Sequence, residues 1–361
     1  MKCPRCGLIN PESALYCDCG YDFSGKEITR RRLPFEFTGN GQEYFRIWIV
    51  NVLLSMMTFG IYSAWAKVRT KNYFYRNTKV AGSVFEYHAR PIQILKGRLF
   101  LFGAIIILGI ISGIVERNIS TSITVLALPW LIVKSRVFNA RKSSWRNIRF
   151  GFNEDSVGNS YMTFLCLPML IPLTIGFILP YNMYRTWGFH IQNSRFGTKS
   201  FRFCPEVKEY YRAFTLTGLT AFLVFFLFTF LRDTGSFATL PDYYKVTLAL
   251  SVYGFFIGLK CFITMARNIS LNGMLLGTHT FTSTVKVWPM LWISISNTIA
   301  IVCSVGLLIP WAKVRTTRYL TDHLVLNAAD DLESFIQAEH RKESALGEAA
   351  VDLMDFDIGG I

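Results

Sequence analysis

A chain of 361 residues that is 51% hydrophobic and 17% charged, with a mean hydropathy of +0.31, is too apolar for an ordinary soluble protein. Its formal charge of +14 is strongly basic. The Lys and Arg residues stand beside apolar runs, which fits membrane orientation and anionic headgroups, so no nucleic-acid partner is expected.

The first element is read in CPRCGLINPESALYCDCGYDF. Cys3, Cys6, Cys17 and Cys19 have the spacing of a zinc ribbon, with two knuckles giving four thiolates to a structural zinc ion. The second knuckle is Cys-x-Cys where Cys-x-x-Cys is more usual, and a disulfide pair or reactive thiols is the blander reading. So short a segment cannot build a core, and metal binding would supply its folding energy. Residues 1–24 are expected to form the ribbon and 25–33 a basic linker. A zinc thiolate site belongs in a reducing compartment, so the N-terminus is expected to be cytoplasmic. The polar start contains no cleavable signal peptide.

A membrane domain is expected over 34–321. A span needs ~20 apolar residues to cross ~30 Å of hydrocarbon. Leu99–Val115 and Ala213–Leu231 carry no charge, and Val246–Ala266 carries only Lys260. Tyr161–Tyr184 and Val287–Trp311 are apolar but broken by Pro and Gly, and Phe45–Trp65 and Ser122–Val133 are shorter candidates. The expected fold is an all-α polytopic membrane protein with about seven apolar helical segments. The Phe-x-Phe spacing at Phe35/Phe37, Phe85/Tyr87, Phe150/Phe152 and Phe201/Phe203 adds short juxtamembrane strands.

The phrase GIYSAWAKVRTKNY at Gly60 returns as GLLIPWAKVRTTRY at Gly306, offset by 246 residues, and fainter as GFILPYNMYRTWGF at Gly176. Further on, KSRVFNAR from Lys134 matches KCFITMAR from Lys260. These matches divide the domain into two three-helix repeats, 35–141 and 150–267, plus a terminal broken helix, 286–319. The helix pairs 99–115 with 122–133 and 213–231 with 246–266 read as hairpins with cytoplasmic ends. The broken helices have basic residues on both sides, which favours re-entrant, half-depth segments over spans.

Residues 322–361 hold ten acids against Arg341 and Lys342. With Leu332, Phe335 and Ile336 on that background, an acidic amphipathic tail capping the basic face is one reading, and a solvated tail the other.

FTGNGQEYFRIWIVNVLL, FGIYSAWAKVRTKNYFY and the ending SALGEAAVDLMDFDIG resemble the YjgN-like family of bacterial inner-membrane proteins, a domain of unknown function. The resemblance covers about 34–361, with the zinc ribbon as an addition. It implies a multi-pass inner-membrane location and brings no substrate or catalytic residues.

No nucleophile elbow, phosphate loop, metalloprotease or dinucleotide motif is present, so an enzyme is not expected. The residues that invite a ligand or lipid headgroup are Lys67, Arg69, Arg185, Lys313 and Arg315 in the repeated phrase, with Lys134 and Lys260 near helix ends. The bland reading of these residues is interfacial anchoring and snorkelling. Two functions stay open. One is transport of a small or lipidic anionic solute at repeated broken helices. The other is a non-transporting scaffold or sensor whose ribbon docks a protein. The candidate partners are membrane lipids, a protein on the ribbon, and a second copy of the chain.

Overall fold

The structure, a computed structural model, describes residues 1–2, 8–9, 11, 31–114, 117–218, 243–329 and 332–342. Ten strands close into one antiparallel barrel. They are β1 (Arg31–Phe37), β2 (Thr78–Val80), β3 (Ser83–Tyr87), β4 (Ser143–Trp145) and β5 (Ile148–Phe152), then β6 (Ser194–Phe196), β7 (Lys199–Phe203), β8 (Met274–Leu276), β9 (His279–Ser283) and β10 (Leu324–Ala328). Each strand pairs with the next in sequence. The seam closes by β10 on β1, from Arg31↔Ala328 to Pro34↔Val325.

Two kinds of connection alternate around this barrel. Four are tight two-residue turns. Ala81-Gly82 and Arg146-Asn147 have positive φ at both central residues, while Gly197 and Gly277 supply it at the first. Those backbone shapes match the right-handed twist of flanking strands. The other five connections are helical. They are α1 (Gly41–Met57) with α2 (Ser63–Arg76), and α3 (Pro91–Ile114) with α4 (Arg117–Arg141). Next come α5 (Val157–Tyr161), a π-helical turn and α6 (Leu167–Leu173) with α7 (Leu179–Gln192). α8 (207–218) with α9 (Tyr243–Asn272), and α10 (Val287–Cys303) with α11 (Ile309–Asp322), complete the set. Because the connections alternate, every helical pair leaves the same end of the barrel.

One backbone hydrogen bond recurs where each helical pair joins its strands. Thr38 N donates to Asn77 O, His88 N to Lys142 O, Asn153 N to Asn193 O, Cys204 N to Gly273 O, and Thr284 N to His323 O, all between 2.7 and 2.9 Å. The same clamp five times gives the ring its regular shape.

The lumen is filled by the inward residues of a period-two pattern. Val80, Trp145, Ile148, Phe196, Leu276, Phe281 and Leu326 are buried there, with Phe35, Phe85, Phe150 and Phe201 packed against them. Phe35 stacks on Phe85 and Phe85 on Phe150, each at 6.3 Å between ring centroids. At the turn end the barrel is capped by α12 (332–342). Its Ile336, Leu332 and Phe335 join the lumen cluster. Arg146 donates to Glu333 at 2.6 Å, and Thr198 N and Oγ1 donate to Glu339 Oε2 at 2.9 and 2.6 Å.

This architecture overturns the all-α reading with seven apolar segments in two three-helix repeats plus one. The strands are three to seven residues long, too short to register beside long apolar helices, and their pairing is set by closure of the ring. Among the described residues, two stretches are long and apolar enough to cross a membrane, Ser122–Arg141 and Glu154–Leu173, with Val287–Cys303 a shorter apolar helix. Among the described residues the other apolar segments are legs of helical pairs planted on a barrel, and 219–231 of the Ala213–Leu231 segment lie outside the described residues.

Candidate ligand site at the helical mouth of the barrel

The three repeated phrases form three nearly identical turns between helices. Gly60, Gly176 and Gly306 have φ of +89°, +84° and +89°. Each Gly N–H returns to a carbonyl five residues earlier, Ser55, Ile171 and Ile301, at 2.7–2.8 Å. This is the helix-ending geometry that glycine favours. A hydroxyl at Thr58, Thr174 or Ser304 then accepts the N–H of Tyr62, Ile178 or Leu308, which starts the return leg. The turn tips hold large apolar residues in the open: Phe59 is 99% exposed, Ile175 90% and Val305 93%.

Between the helical ring and the barrel lies a chamber of about 610 Å³. Its floor is Phe35, Phe85 and Phe150, the upper ring of the filled lumen. Its walls carry Arg136 and Asn139 from α4, Arg267 from α9, and Thr317 and Thr321 from α11. Arg136 Nη2 donates to His190 Nε2 at 3.3 Å, and Arg267 Nη1 to Ser283 Oγ at 3.3 Å. Among the described residues no carboxylate lines the chamber and neither arginine is in an ion pair. A guanidinium donates only, so His190 Nε2 is the acceptor and its Nδ1 carries the proton. That Nδ1 is buried and without a partner.

A second cavity, of about 630 Å³, opens beside the first helical pair. It is lined by Lys67, Lys71 and Thr70 of α2, Asn51, Val52 and Met56 of α1, and Lys313 of α11. Lys71 donates to Asn139, a residue of the chamber wall, so one side chain stands between the two cavities. Lys313 Nζ lies 4.7 Å above the Phe74 ring and 3.4 Å from Tyr44 Oη.

Of the residues singled out in the sequence, Lys67 and Lys313 therefore line one cavity. The rest are dispersed around the ring. Arg69 donates to Tyr62 Oη at 2.9 Å, and Arg315 to Ser296 Oγ at 2.8 Å. Lys134 joins Arg141 in ion pairs to Glu154. Arg185 and Lys260 are half-exposed on α7 and α9, outside both cavities. Cys3, Cys6, Cys17 and Cys19 lie outside the described residues. Sequence reasoning missed Arg136, Arg267, Lys71 and Asn51. Arg267 closes the KCFITMAR match, but the lysine at its start drew the attention.

Residues 32–353 match the family described as "Bacterial protein of unknown function (DUF898)". The chain belongs to this family. A stretch of 146 residues is 34% identical to "Inner membrane protein YjgN" of Escherichia coli O157:H7, covering 39% of the chain and 36% of the relative. The protein of that name in Escherichia coli strain K12 is 34% identical over 145 residues, with the same coverage of each chain. That of Salmonella typhimurium is 30% identical over 148 residues, covering 40% of the chain and 37% of the relative. The matched stretch thus spans about a third of the length of these curated relatives. No solved structure matches the chain. The DUF898 match runs from β1 through β10 and beyond α12, so it takes in the whole barrel and both cavities.

Proposed function

We propose that this DUF898 chain is a multi-pass protein of the bacterial inner membrane that binds a small or lipidic anionic solute in the axial chamber, without catalysing a reaction on it. The observation that carries the reading is the chamber wall. Arg136 and Arg267 face a space of ligand size whose lining contains no carboxylate, and guanidinium groups recognise carboxylates and phosphates through paired hydrogen bonds. The membrane assignment draws on the relatives' name and on the apolar tips. Legs of 24 and 25 residues in α3 and α4 rise about 36 Å, enough to cross, whereas the 17- and 14-residue legs of α1 and α2 rise about 25 and 21 Å and dip part-way. The barrel then sits on the cytoplasmic side, where a zinc ribbon at Cys3, Cys6, Cys17 and Cys19 would share its compartment.

The filled lumen and the α12 cap close the barrel axis, so a transported solute would move laterally, between helical pairs. The same filling favours a second reading, a sensor or scaffold in which the bound solute is a signal and the ribbon docks a protein. The test is the double substitution Arg136→Gln/Arg267→Gln in the purified full chain. Stabilisation of the parent against heat by small organic anions, abolished in the variant, supports the chamber. An equal response of parent and variant removes it. Uptake of the stabilising anion into proteoliposomes then separates transport from sensing.

A further inference from the structure

The first and fifth helical pairs carry the same asparagine. Asn51 on α1 and Asn297 on α10 are related by the offset of 246 residues that relates Gly60 to Gly306. Asn297 is satisfied inside its own pair. Its Nδ2 donates to Ala312 O at 3.2 Å and Thr316 Oγ1 at 3.1 Å, and Arg315 reaches its Oδ1 at 3.5 Å. The equivalent partners of Asn51 are Ala66 and Thr70, and both line the second cavity with it. Asn51 is only 5% exposed, yet neither its Nδ2 nor its Oδ1 has a partner. Leaving such atoms unmet costs about 1–3 kcal/mol each, so an unfilled amide at a cavity wall is a place where a ligand is owed.

What surrounds the amide defines that ligand. Lys67, Lys71 and Lys313 converge from two helices, and Thr70, Ser55 and Ser63 add hydroxyls. Arg98 donates to Ser63 Oγ at the edge. Among the described residues no acidic side chain lines the cavity. Trp48, Val52 and Met56 form the apolar flank, and Met56 is exposed on α1. With Lys71 bonded to Asn139 and Lys313 Nζ over the Phe74 ring, the three lysines make a basic wall beside hydroxyls suited to the oxygens of a phosphate, and the apolar flank continues outward along a leg that ends at the bare Phe59 tip.

We infer that the cavity between α1, α2 and Lys313 is a second, separate binding site, specific for a phosphate ester, with Asn51 completing the coordination of the phosphate oxygens. The fifth pair lacks the site because its asparagine closes on its own return leg. In the third pair the equivalent residue is Leu167, which is buried with no polar atom to satisfy.

That leucine also supplies the test. Asn51→Leu places at α1 what the fold accepts at Leu167, so the variant should fold with stability equal to or above the parent. The purified full chain would be titrated with phosphatidylglycerol, phosphatidylcholine or glycerol 3-phosphate, read by native mass spectrometry and thermal unfolding. The parent should bind phosphatidylglycerol in preference to phosphatidylcholine. Asn51→Leu and Lys313→Gln should each weaken that binding by about ten-fold, the loss of one charge-assisted contact. Arg136→Gln/Arg267→Gln should leave it unchanged, which keeps this site's fate apart from the chamber's. Equal stabilisation by glycerol 3-phosphate identifies a free phosphate ester as the occupant, and stabilisation by phosphatidylglycerol alone identifies the lipid headgroup. Indifference of the parent to all three, or an undiminished response in both Asn51→Leu and Lys313→Gln, overturns the inference.

Discussion

The two ends of the barrel are built on opposite terms. At the turn end the cap's acidic groups are paired and its apolar side chains packed into the lumen. Glu339 is buried under Thr198, Phe335 stacks on Phe196 at 6.4 Å, and His340 Nε2 donates to Arg146 O at 2.9 Å. At the helical end cations face open cavities, asparagine and histidine atoms lack partners, and phenylalanine and isoleucine stand bare. A polar group left unmet beside a cavity is a cost that folding alone does not explain. The contrast assigns stability to one end and recognition to the other.

The sharpest way to break that assignment is to hollow out the closed part. Trp145 is buried in the lumen, stacks near Phe85 and Phe196, and donates its indole N–H to Ser83 O at 3.3 Å. Trp145→Ala should cost about 3–5 kcal/mol in denaturant unfolding. A loss below about 1 kcal/mol, the size expected at a surface position, would mean that the barrel is not the folding core. A smaller loss is expected at the helical turns. Gly60 has φ +89° and open space where a Cβ would go, so Gly60→Ala meets only backbone strain, about 1–2 kcal/mol. Gly306→Ala should cost the same, since the two turns share geometry. Unequal costs would show that one turn carries more than its shape.

How much of this was legible beforehand follows from the range of the forces involved. Turn geometry is local, so Gly60, Gly176 and Gly306 could be read as helix breaks in series, and the apolar legs between them as helices. The Phe-x-Phe segments are β1, β3, β5 and β7, because alternation is also local. The ring was not legible, because Arg31 meets Ala328 only after five helical excursions. A signal was nonetheless present. TKV-AG-SVFEY, SSW-RN-IRFGF, SRF-GT-KSFRF and MLL-GT-HTFTS share one pattern, three residues, a two-residue turn and five more. Reading those four hairpins together would have replaced the all-α class. The site was half legible. Lys67 and Lys313 stand out by repetition, while Arg136 has no counterpart in the second copy and Asn51 looks like any polar residue in an apolar run.

The cap on the turn end offers a test through pH. Burial works against the charge on Glu339, but the hydrogen bonds from Thr198 Oγ1 and N, with the Lys342 ammonium at 3.5 Å, outweigh it and hold the carboxyl below its ordinary value. A carboxylate whose folded pKa is depressed adds stability that is present above the unfolded pKa and lost as pH falls through the folded one. Parent protein should therefore lose stability over that acid range more steeply than Glu339→Gln. Protection of α12 amides in hydrogen exchange should fall over the same range. Parallel curves for parent and variant would separate the cap from this carboxylate.

The smallest effect on folding is expected where exposure is greatest. Phe59, Ile175 and Val305 touch almost nothing in the protein, so Phe59→Ser/Ile175→Ser/Val305→Ser should change unfolding by less than about 0.5 kcal/mol per position. On the proposed membrane reading their partner is the bilayer interior, and burying one such side chain there is worth about 1.5–3 kcal/mol. The triple variant should fold in detergent like the parent, yet be extracted from membranes more readily. Single cysteines at 59, 175 and 305 should resist aqueous thiol reagents from both faces and react with lipid-soluble ones. Labelling of 59 or 305 from one aqueous face would place those tips beyond the hydrocarbon and turn their short pairs into full crossings. Labelling from neither leaves them suspended part-way, with the cavity of Asn51 at the depth where headgroup phosphates lie.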